Sequence, residues 1–252
     1  MESKDVIADR VKEIGAGTRV KDPNTGVEYE LRKHLASGRY SYVYLAKRTD
    51  GSGLSKVVKF GALPPGEITD SSRRLQNLKE RYELEVQISR RIREASSGRF
   101  VPEIVEGEWP YPIPVLIMDK MGGEGQDEDW SLSTQIRALQ EAGELLQAER
   151  LAAKAGAQYA ELLKILHEKL HQACPDRKPG DFYWDPNKSQ LYVLDWNVVE
   201  ELPNSSAEAD KKVQIEIRQF GERWFEMLLG VSPKSVDQFQ FEQSATDVSW
   251  GT

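Results

Sequence analysis

The residues best suited to chemistry lie at the open end of a short predicted hairpin. Residues 182–184 are expected to pair antiparallel with residues 192–194 around a turn at 185–189. That register would place Asp181 beside Asp195. Two adjacent carboxylates repel each other unless a cation lies between them, and oxygen ligands suit Mg²⁺ or Mn²⁺. The pattern predicts a metal site at Asp181 and Asp195, although either residue alone is also typical of an ordinary exposed strand end.

A second candidate pair combines a strand lysine with a helix glutamate. Glu85 lies three residues after Tyr82 and seven before Ile92, so it shares the apolar face of the helix predicted over residues 73–94. A charge on a buried face is costly unless it is paired, and Lys59, at the end of an apolar strand, is the available cation. The alternative is that Lys59 only extends its ammonium group to solvent.

The elements that would position these residues form an α+β arrangement. Aromatic and β-branched residues predict three antiparallel strands near 28–35, 40–48 and 55–60, and the helix over 73–94 follows them. The apolar run from Val115 to Met121 predicts a buried strand. Residues 121–129, rich in glycine and acidic residues, predict a linker. Beyond it we expect two helices within 130–170, the hairpin, an acidic loop over 200–210 and a last helix over 213–229.

Composition restricts the classes of protein to which the chain could belong. Its 252 residues carry 34 Lys and Arg against 41 Asp and Glu, so the net charge is -7, which argues against broad nucleic-acid binding. No apolar run is long enough to predict a membrane span, and the first residues do not resemble a signal peptide. The single cysteine, Cys174, excludes an internal disulfide. These features predict a cytoplasmic protein.

The hairpin and the run before it resemble the catalytic and metal-binding segments of the protein kinase superfamily. In that family an Asp, a Lys two residues later and an Asn five residues later precede a hairpin and an Asp-Phe-Gly motif. Asp176, Lys178 and Asp195 match this pattern, while Asp181 stands where the family has Asn and Asn197 replaces the Gly. The resemblance implies that Asp176 and Lys178 are catalytic and that Asp181 and Asp195 bind metal.

Other motifs follow in the family's order. Residues 35–43 resemble the glycine-rich loop, although Gly38 is the only one of its three glycines present, and Val57-Val58-Lys59 with Glu85 resembles the strand lysine and its helix partner. Residues 116–123 resemble the hinge that reads adenine, and residues 217–230 resemble the central helix of the C-lobe, with Glu216 where the family has Asp. The nucleotide-binding residues thus implied are Ala36, Ser37, Gly38, Ser41, Val43, Lys59, Glu85, Asp119 and Met121.

The resemblance implies a two-lobed fold and a function. An antiparallel-sheet N-lobe would span residues 1–120 and a reduced helical C-lobe residues 121–252. ATP with Mg²⁺ or Mn²⁺ would bind between them, and the protein would be a kinase-like phosphotransferase. The alternative is a pseudokinase that keeps the fold and acts as a regulatory or protein-binding module.

The sequence departs from the family pattern around the region that would bind a substrate. Cys174 and Pro175 replace the usual His-Arg, and only 20 residues separate Asp195 from Glu216. Because that stretch is short, we expect a small, basic, self-derived or partner-presented acceptor rather than a generic peptide, with Ser205 and Ser206 as candidate sites of self-modification. The reduced C-lobe also predicts apolar surface that a partner or a second subunit could cover.

Two other readings of these residues are possible. His167 and His171 are four apart on a predicted helix and could bind a metal, but no third ligand is evident. Cys174 could be a nucleophile, although a small buried residue in the place of the motif His is the favoured interpretation. No GxxxxGK[ST] run exists, which excludes a P-loop NTPase.

Overall fold

The chain folds as an α+β protein with two compact units. A computed structural model describes residues 14–38, 40–53, 55–62, 71–121, 130–175, 177–196 and 198–229. The first unit is Met1–Asp127 together with Asp195–Asn197, and the second is Glu128–Leu194 together with Val198–Thr252. The lobe boundary that the sequence places near residue 120 stays a prediction.

The first unit contains a six-stranded antiparallel sheet and a long helix. In the described residues the strands are β1 (Arg19–Lys21), β2 (Glu28–Ser37), β3 (Ser41–Arg48), β4 (Lys56–Gly61), β5 (Ile104–Glu106) and β6 (Val115–Asp119). Their order in the sheet is β1-β2-β3-β4-β6-β5. Helix α1 spans Ser71–Ala95. The three strands predicted before the helix, the helix and the apolar strand after it are confirmed.

Both faces of this sheet carry apolar cores. On one face the buried residues of β4 and β6, such as Val58 and Ile117, pack with residues of β1, β2 and β3. On the other face Leu116 and Met118 pack against the inward stripe of α1, which includes Leu78, Tyr82 and Val86. Successive strand residues point to opposite faces, so a strand buried on both sides is apolar throughout. This explains the uninterrupted apolar run of β6.

Helix α1 approaches the sheet closely at Gly61, the last residue of β4. A Cβ atom at this position would lie 2.6 Å from Cδ2 of Leu78 and 3.0 Å from Cγ of Pro114. Real Cβ atoms do not approach neighbours at the first of these distances, so the absence of a side chain at Gly61 lets the helix pack against the strand. This close contact determines where α1 lies along β4.

The second unit is mainly helical. Its described elements are α2 (Leu132–Glu141), α3 (Leu145–Lys164), a π-helical turn (Ile165–Leu170), β7 (Gln172–Ala173), a 3₁₀ turn (Pro179–Asp181), β8 (Phe182–Asp185), β9 (Gln190–Val193), β10 (Glu200–Glu201) and α4 (Ser206–Leu229). Strands β8 and β9 form the predicted hairpin, while β7 pairs with β10. The two helices predicted within residues 130–170 are confirmed. The glycine-rich linker lies outside the described residues except for Met121.

An aromatic cluster joins α3, α4 and the hairpin. The ring of Tyr159 lies 4.9 Å from that of Phe182 and 4.8 Å from that of Phe220, measured between centroids. Trp224 contacts Phe182 at 5.5 Å and donates its indole N–H to the carbonyl of Ala152 at 3.1 Å. The hairpin is therefore held against both helices by aromatic packing.

Helix α4 begins earlier than the sequence predicts. The acidic loop was expected to extend to residue 210, but the helix starts at Ser206, and the N–H of Ala209 already donates to the carbonyl of Ser205 at 2.9 Å. The Ala, Glu and Lys residues of this segment favour a helix and outweigh its polar character. Ser205 and Ser206 are exposed at the helix start. No helix in the described part of the chain is long and apolar enough to cross a membrane.

Candidate functional site

Lys59 lies between two carboxylates in the first unit. Its Nζ is 2.8 Å from Oε2 and 3.1 Å from Oε1 of Glu85, and 3.0 Å from Oδ1 of Asp195. Strand β4 carries Lys59 opposite Val43 of β3 and Leu116 of β6, and residues directly opposite in a sheet share a face. That face is the one covered by α1, which carries Glu85. The predicted pairing of Lys59 with Glu85 is confirmed.

Burial differs across the three charged groups. The side chains of Lys59 and Glu85 are 9% and 2% exposed, whereas that of Asp195 is 44% exposed. Burial alone would lower the pKa of Lys59, but the charges of Glu85 and Asp195 and their hydrogen bonds outweigh it and raise that pKa above its usual value. Lys59 is therefore a cation in the folded protein. Of the three side chains, that of Asp195 is the one most open to solvent.

The backbone at Asp195 is unusual for a residue with a side chain. Its φ is 64°, in the left-handed region, where Asp is one of the few residues that are enriched. The next residue, Trp196, is fully buried. Asn197, which replaces the Gly of the family motif, lies outside the described residues. The turn after the hairpin and the burial of Trp196 thus position the Asp195 carboxylate.

The residues of the predicted nucleotide-binding loop are close to Lys59 along the sheet. Ala36 pairs with Val43, and Val43 pairs with Lys59 in the next strand. The N–H of Gly38 donates to the carbonyl of Ser41 at 2.8 Å, which closes the connection between β2 and β3. The sequence predicts that the first strand ends near residue 35, but Ala36 and Ser37 are still part of β2 because they continue the ladder with β3. Their role towards a nucleotide stays a prediction.

The end of β6 carries the two residues predicted to form a hinge. Asp119 pairs with Lys56 across β4 and β6, and the two side chains form an ion pair with 47% and 26% exposure. This pair was not predicted from the sequence, although the antiparallel pairing of an apolar strand that begins at Lys56 with one that ends at Asp119 would have suggested it. Met121 is half-buried. Adenine recognition by Asp119 and Met121 stays a prediction.

The hairpin register differs by one residue from the prediction. Phe182 pairs with Val193, and the N–H of Leu194 donates to the carbonyl of Asp181 at 2.9 Å. The predicted register is therefore wrong by one position, because Asp181 lies opposite Leu194 and not Asp195, while the metal site at Asp181 and Asp195 stays a prediction. Asp185 is the last residue of β8, so the turn has four residues, 186–189. The Asp185 carboxylate accepts the N–H groups of residues 187 and 188 and thereby stabilises this turn. A turn shorter by one residue moves every pair by one position.

Asp181 closes a short loop on Lys178. The N–H of Lys178 donates to Oδ2 of Asp181 at 2.8 Å, and the N–H of Asp181 donates to the carbonyl of Lys178 at 2.9 Å. These two bonds fix the 3₁₀ turn that precedes β8. Asp176, the predicted catalytic residue, lies outside the described residues. Across the described ranges, no group of three or more His, Cys, Asp or Glu side chains is arranged to hold a metal ion.

A buried glutamate supports the segment that leads to this loop. Glu216 of α4 is 2% exposed, and its carboxylate accepts the ring N–H of His167 at 2.8 Å and the backbone N–H of Cys174 at 3.0 Å. Cys174 is buried, and its Sγ donates to the carbonyl of Val198 at 2.9 Å. His167 thus binds a carboxylate, while His171 is exposed. The sequence placed Glu216 on a central helix but did not predict either of its partners.

Comparison with known proteins supports the fold. No family model matches the chain, and no curated protein matches it in sequence. Among solved structures, it is similar to one described as the structure of vaccinia related kinase 3, with a TM-score of 0.56 and 15% identity. The match covers 91% of this chain and 73% of that chain.

The chain therefore has a protein kinase-like fold. This class agrees with the antiparallel sheet and long helix of the first unit and with the helical second unit. The α+β fold class and the kinase-like resemblance read from the sequence are confirmed.

Proposed function

We propose that the protein is an ATP-dependent, kinase-like phosphotransferase that uses Mg²⁺. The observation that carries this proposal is the position of Lys59 between Glu85 and Asp195. Lys59 would contact the phosphates of ATP, and Glu85 would hold its ammonium group in place. Charge-assisted hydrogen bonds from a pre-positioned lysine stabilise phosphate oxygens without the cost of ordering a free side chain.

The cost of burying Lys59 and Glu85 favours a functional role for this ion pair over a purely structural one. A buried ion pair seldom stabilises a fold more than apolar residues of similar volume would, because both charges lose their hydration. Glu85 at 2% exposure and Lys59 at 9% carry this cost. A scaffold could have apolar side chains at both positions, whereas phosphate binding needs the cation.

The residues present fit a magnesium ion. Mg²⁺ in nucleotide sites is held by one or two carboxylates together with phosphate oxygens and water, so a cage of protein ligands is not required. Asp195, whose side chain is 44% exposed, and Asp181 are the proposed ligands. Bound Mg²⁺ would neutralise phosphate charge. Mn²⁺ would be accepted by the same oxygen ligands.

Asp176 and Lys178 are proposed to act on the transferring group. Asp176 would orient or deprotonate the acceptor hydroxyl, and Lys178 would balance the charge of the phosphoryl group. Two hydrogen bonds between Lys178 and Asp181 hold residues 178–181 in a fixed turn, which supports the role proposed for Lys178. Since 20 residues separate Asp195 from Glu216, the proposed acceptor is small, basic, part of this chain or presented by a partner.

The nucleotide part of the proposal is tested by thermal unfolding with ATP, in the presence and absence of Mg²⁺. We expect ATP to raise the melting temperature only with the metal. Asp195→Asn and Lys59→Met should reduce that shift, while Lys47→Gln, an exposed lysine of β3, should leave it unchanged. An absence of any shift at millimolar ATP with Mg²⁺ or Mn²⁺ would rule out the proposed nucleotide site.

The transfer part is tested by mass spectrometry of the chain after incubation with ATP and Mg²⁺. We expect added phosphate on the wild type, and none on Asp176→Ala, which should still show the ATP-dependent thermal shift. Phosphate incorporation by Asp176→Ala equal to that of the wild type would contradict the assigned role.

The second candidate function is that of a pseudokinase which binds a nucleotide or a protein without transfer. It is favoured by the loop between β2 and β3, where Gly38 is preceded by Ala36 and Ser37 of a continuing strand and not by further glycines. An ATP-dependent thermal shift, combined with no phosphate transfer to the chain or to a panel of small and protein acceptors, would favour this function.

A further inference from the structure

The connection between β2 and β3 is held against α1 by Tyr40. This residue is half-buried and packs on the apolar cluster that α1 forms with the sheet, which includes Leu78 and Val86. The guanidinium carbon of Arg81 lies 4.8 Å from the centroid of the Tyr40 ring. A cation over an aromatic ring at such a distance is attracted by the negative face of the ring. A charged group and an apolar cluster of the same helix therefore both hold Tyr40.

The backbone of Tyr40 adds a second attachment. Its carbonyl accepts the N–H of Ala62 at 2.8 Å and the hydroxyl of Tyr82 at 3.5 Å. Ala62 directly follows β4, the strand that carries Lys59. Tyr82 is 3% exposed, and Nζ of Lys59 lies 5.6 Å from the centroid of its ring. Tyr82 thus contacts both Tyr40 and the strand lysine.

A single turn of α1 carries these contacts together with the partner of Lys59. Arg81 and Tyr82 precede Glu85 by four and three positions, so both side chains are its neighbours on the helix surface. A shift of α1 that withdrew Glu85 from Lys59 would also move Arg81, because residues within one helical turn move together. The position of Tyr40 and the pairing of Lys59 with Glu85 are therefore linked.

The composition of the connection explains why such an attachment is needed. A segment with several glycines can adopt many backbone conformations, whereas residues 35–43 contain only Gly38. The N–H of Gly38 donates to the carbonyl of Ser41 at 2.8 Å, which restricts the backbone further. A nucleotide would therefore meet a connection whose position is already set by its contacts with α1 and β4. A binding site that is ordered in advance loses less entropy when its ligand binds.

We propose that Tyr40, Arg81 and Tyr82 are positioning residues that hold the β2–β3 connection in its nucleotide-binding position. They do so while α1 holds Glu85 against Lys59, so the two parts of the site form together. Molecules in which the connection has left α1 would bind ATP only after it returns, and the affinity falls in proportion to the competent fraction. The inference rests on the proposed phosphotransferase function and adds the contacts that prepare its site.

The first test measures the affinity of the whole chain for ATP with Mg²⁺ by calorimetry. Arg81→Gln should weaken binding by about three- to fivefold, the factor that loss of a partly exposed contact between a cation and a ring implies. Arg90→Gln removes the same charge from an exposed position of α1 and should leave the affinity unchanged. Tyr40→Leu should bind ATP as weakly as Arg81→Gln, whereas Tyr40→Phe keeps the ring and should retain the wild-type affinity.

A double variant tests whether the two side chains act through one contact. Arg81→Gln combined with Tyr40→Leu should bind ATP no more weakly than either single variant, because each change alone already removes the contact. Losses that multiply in the double variant would contradict a shared contact.

The second test needs neither ATP nor phosphate transfer. Exchange of the Gly38 amide hydrogen with solvent, measured by NMR, reports how often its bond to Ser41 opens. We expect Arg81→Gln and Tyr40→Leu to speed this exchange by about threefold, in line with the expected loss of affinity. Arg90→Gln should leave the exchange rate unchanged.

The outcomes separate this inference from the function on which it rests. If the wild type binds ATP but Arg81→Gln and Arg90→Gln bind it equally well, the inference is wrong and the proposed function stands. Equal rates of Gly38 exchange in these two variants would also overturn the inference alone. If the wild type does not bind ATP, the inference and the proposed function are both wrong.

Discussion

Lys59 and Asp195 are 136 positions apart in the sequence, yet Nζ of the first lies 3.0 Å from Oδ1 of the second. Both residues belong to the first unit, although the segments on either side of residues 195–197 belong to the second. Asp195 thus contributes a carboxylate to the strand lysine from a segment that is distant in the sequence. A solvent-facing carboxylate beside a fixed ammonium group is a suitable arrangement for binding phosphate together with a metal ion.

The first prediction concerns the stability of the buried pair. Lys59→Met would leave Glu85, 2% exposed, without its cation, and should lower the free energy of unfolding by about 3–5 kcal/mol. Adding Glu85→Gln should recover part of the loss, because the uncompensated buried charge is removed. Urea unfolding of the single and double variants provides the measurement.

Lys56→Met is the matched control for that experiment. Lys56 lies on the same strand and is also ion-paired, but its side chain is 26% exposed and that of Asp119 is 47% exposed. Loss of a solvated pair should cost about 1 kcal/mol or less. Equal losses for Lys56→Met and Lys59→Met would show that burial does not decide the cost.

The second prediction is a loss of stability in alkaline solution. The pKa of Tyr82 is raised well above 10.0 by burial and by the charges of Glu85 and Asp195, and the pKa of Lys59 is raised above 10.5. Between the usual and the raised pKa, the unfolded chain releases protons that the folded chain retains. The free energy of unfolding should therefore fall as the pH rises above 10.0, and should be unaffected by these groups below it.

The second prediction is tested by urea unfolding of the wild type and of Tyr82→Phe, below and above pH 10.0. The variant cannot ionise at this position, so its stability should fall less steeply with rising pH. Tyr111→Phe, at a half-buried position of the same unit, is the control. A steeper fall for Tyr82→Phe than for the wild type would contradict the cause assigned.

The third prediction concerns His167. Its ring N–H bonds to the buried carboxylate of Glu216 at 2.8 Å, whereas His171 is exposed. His167→Asn should lower the free energy of unfolding by about 1–3 kcal/mol, because a hydrogen bond to a buried charged group is lost. His171→Asn makes the same change where φ is 51°, a backbone conformation that Asn tolerates, and should have little effect. The melting temperatures of both variants, compared with that of the wild type, test this prediction. An equal drop in both would show that the bond from His167 to Glu216 does not contribute to stability.

The fourth prediction concerns the packing of α1 on β4. Gly61→Ala would place a Cβ 2.6 Å from Cδ2 of Leu78, a side chain that is 3% exposed and has little room to move. Overpacking of this kind costs about 1–3 kcal/mol. Gly221→Ala, on α4 with no atom within 4 Å of the added Cβ, should instead stabilise the protein by about 0.5–1 kcal/mol. Chemical denaturation of both variants should give changes of opposite sign.

The sequence alone was sufficient to predict the main secondary-structure elements of the first unit and the ion pair between Lys59 and Glu85. Strands β2, β3, β4 and β6 and helix α1 follow from side-chain periodicity, which is a property of consecutive residues. Glu85 could be assigned a cation because it lies on the apolar stripe of α1, where an unpaired charge is too costly. The order of the motifs was sufficient to indicate the kinase-like fold that the structural comparison confirms.

The tertiary structure alone decided the register of the hairpin and the contacts between distant segments. The hairpin register depends on whether Asp185 caps the turn through its side chain, and composition does not specify this. The bonds from Lys59 to Asp195 and from Glu216 to His167 and Cys174 join segments that are far apart in the chain. Such contacts depend on how distant segments pack, as where α4 packs on α3 and Glu216 meets His167, and periodicity within one segment carries no information about the other.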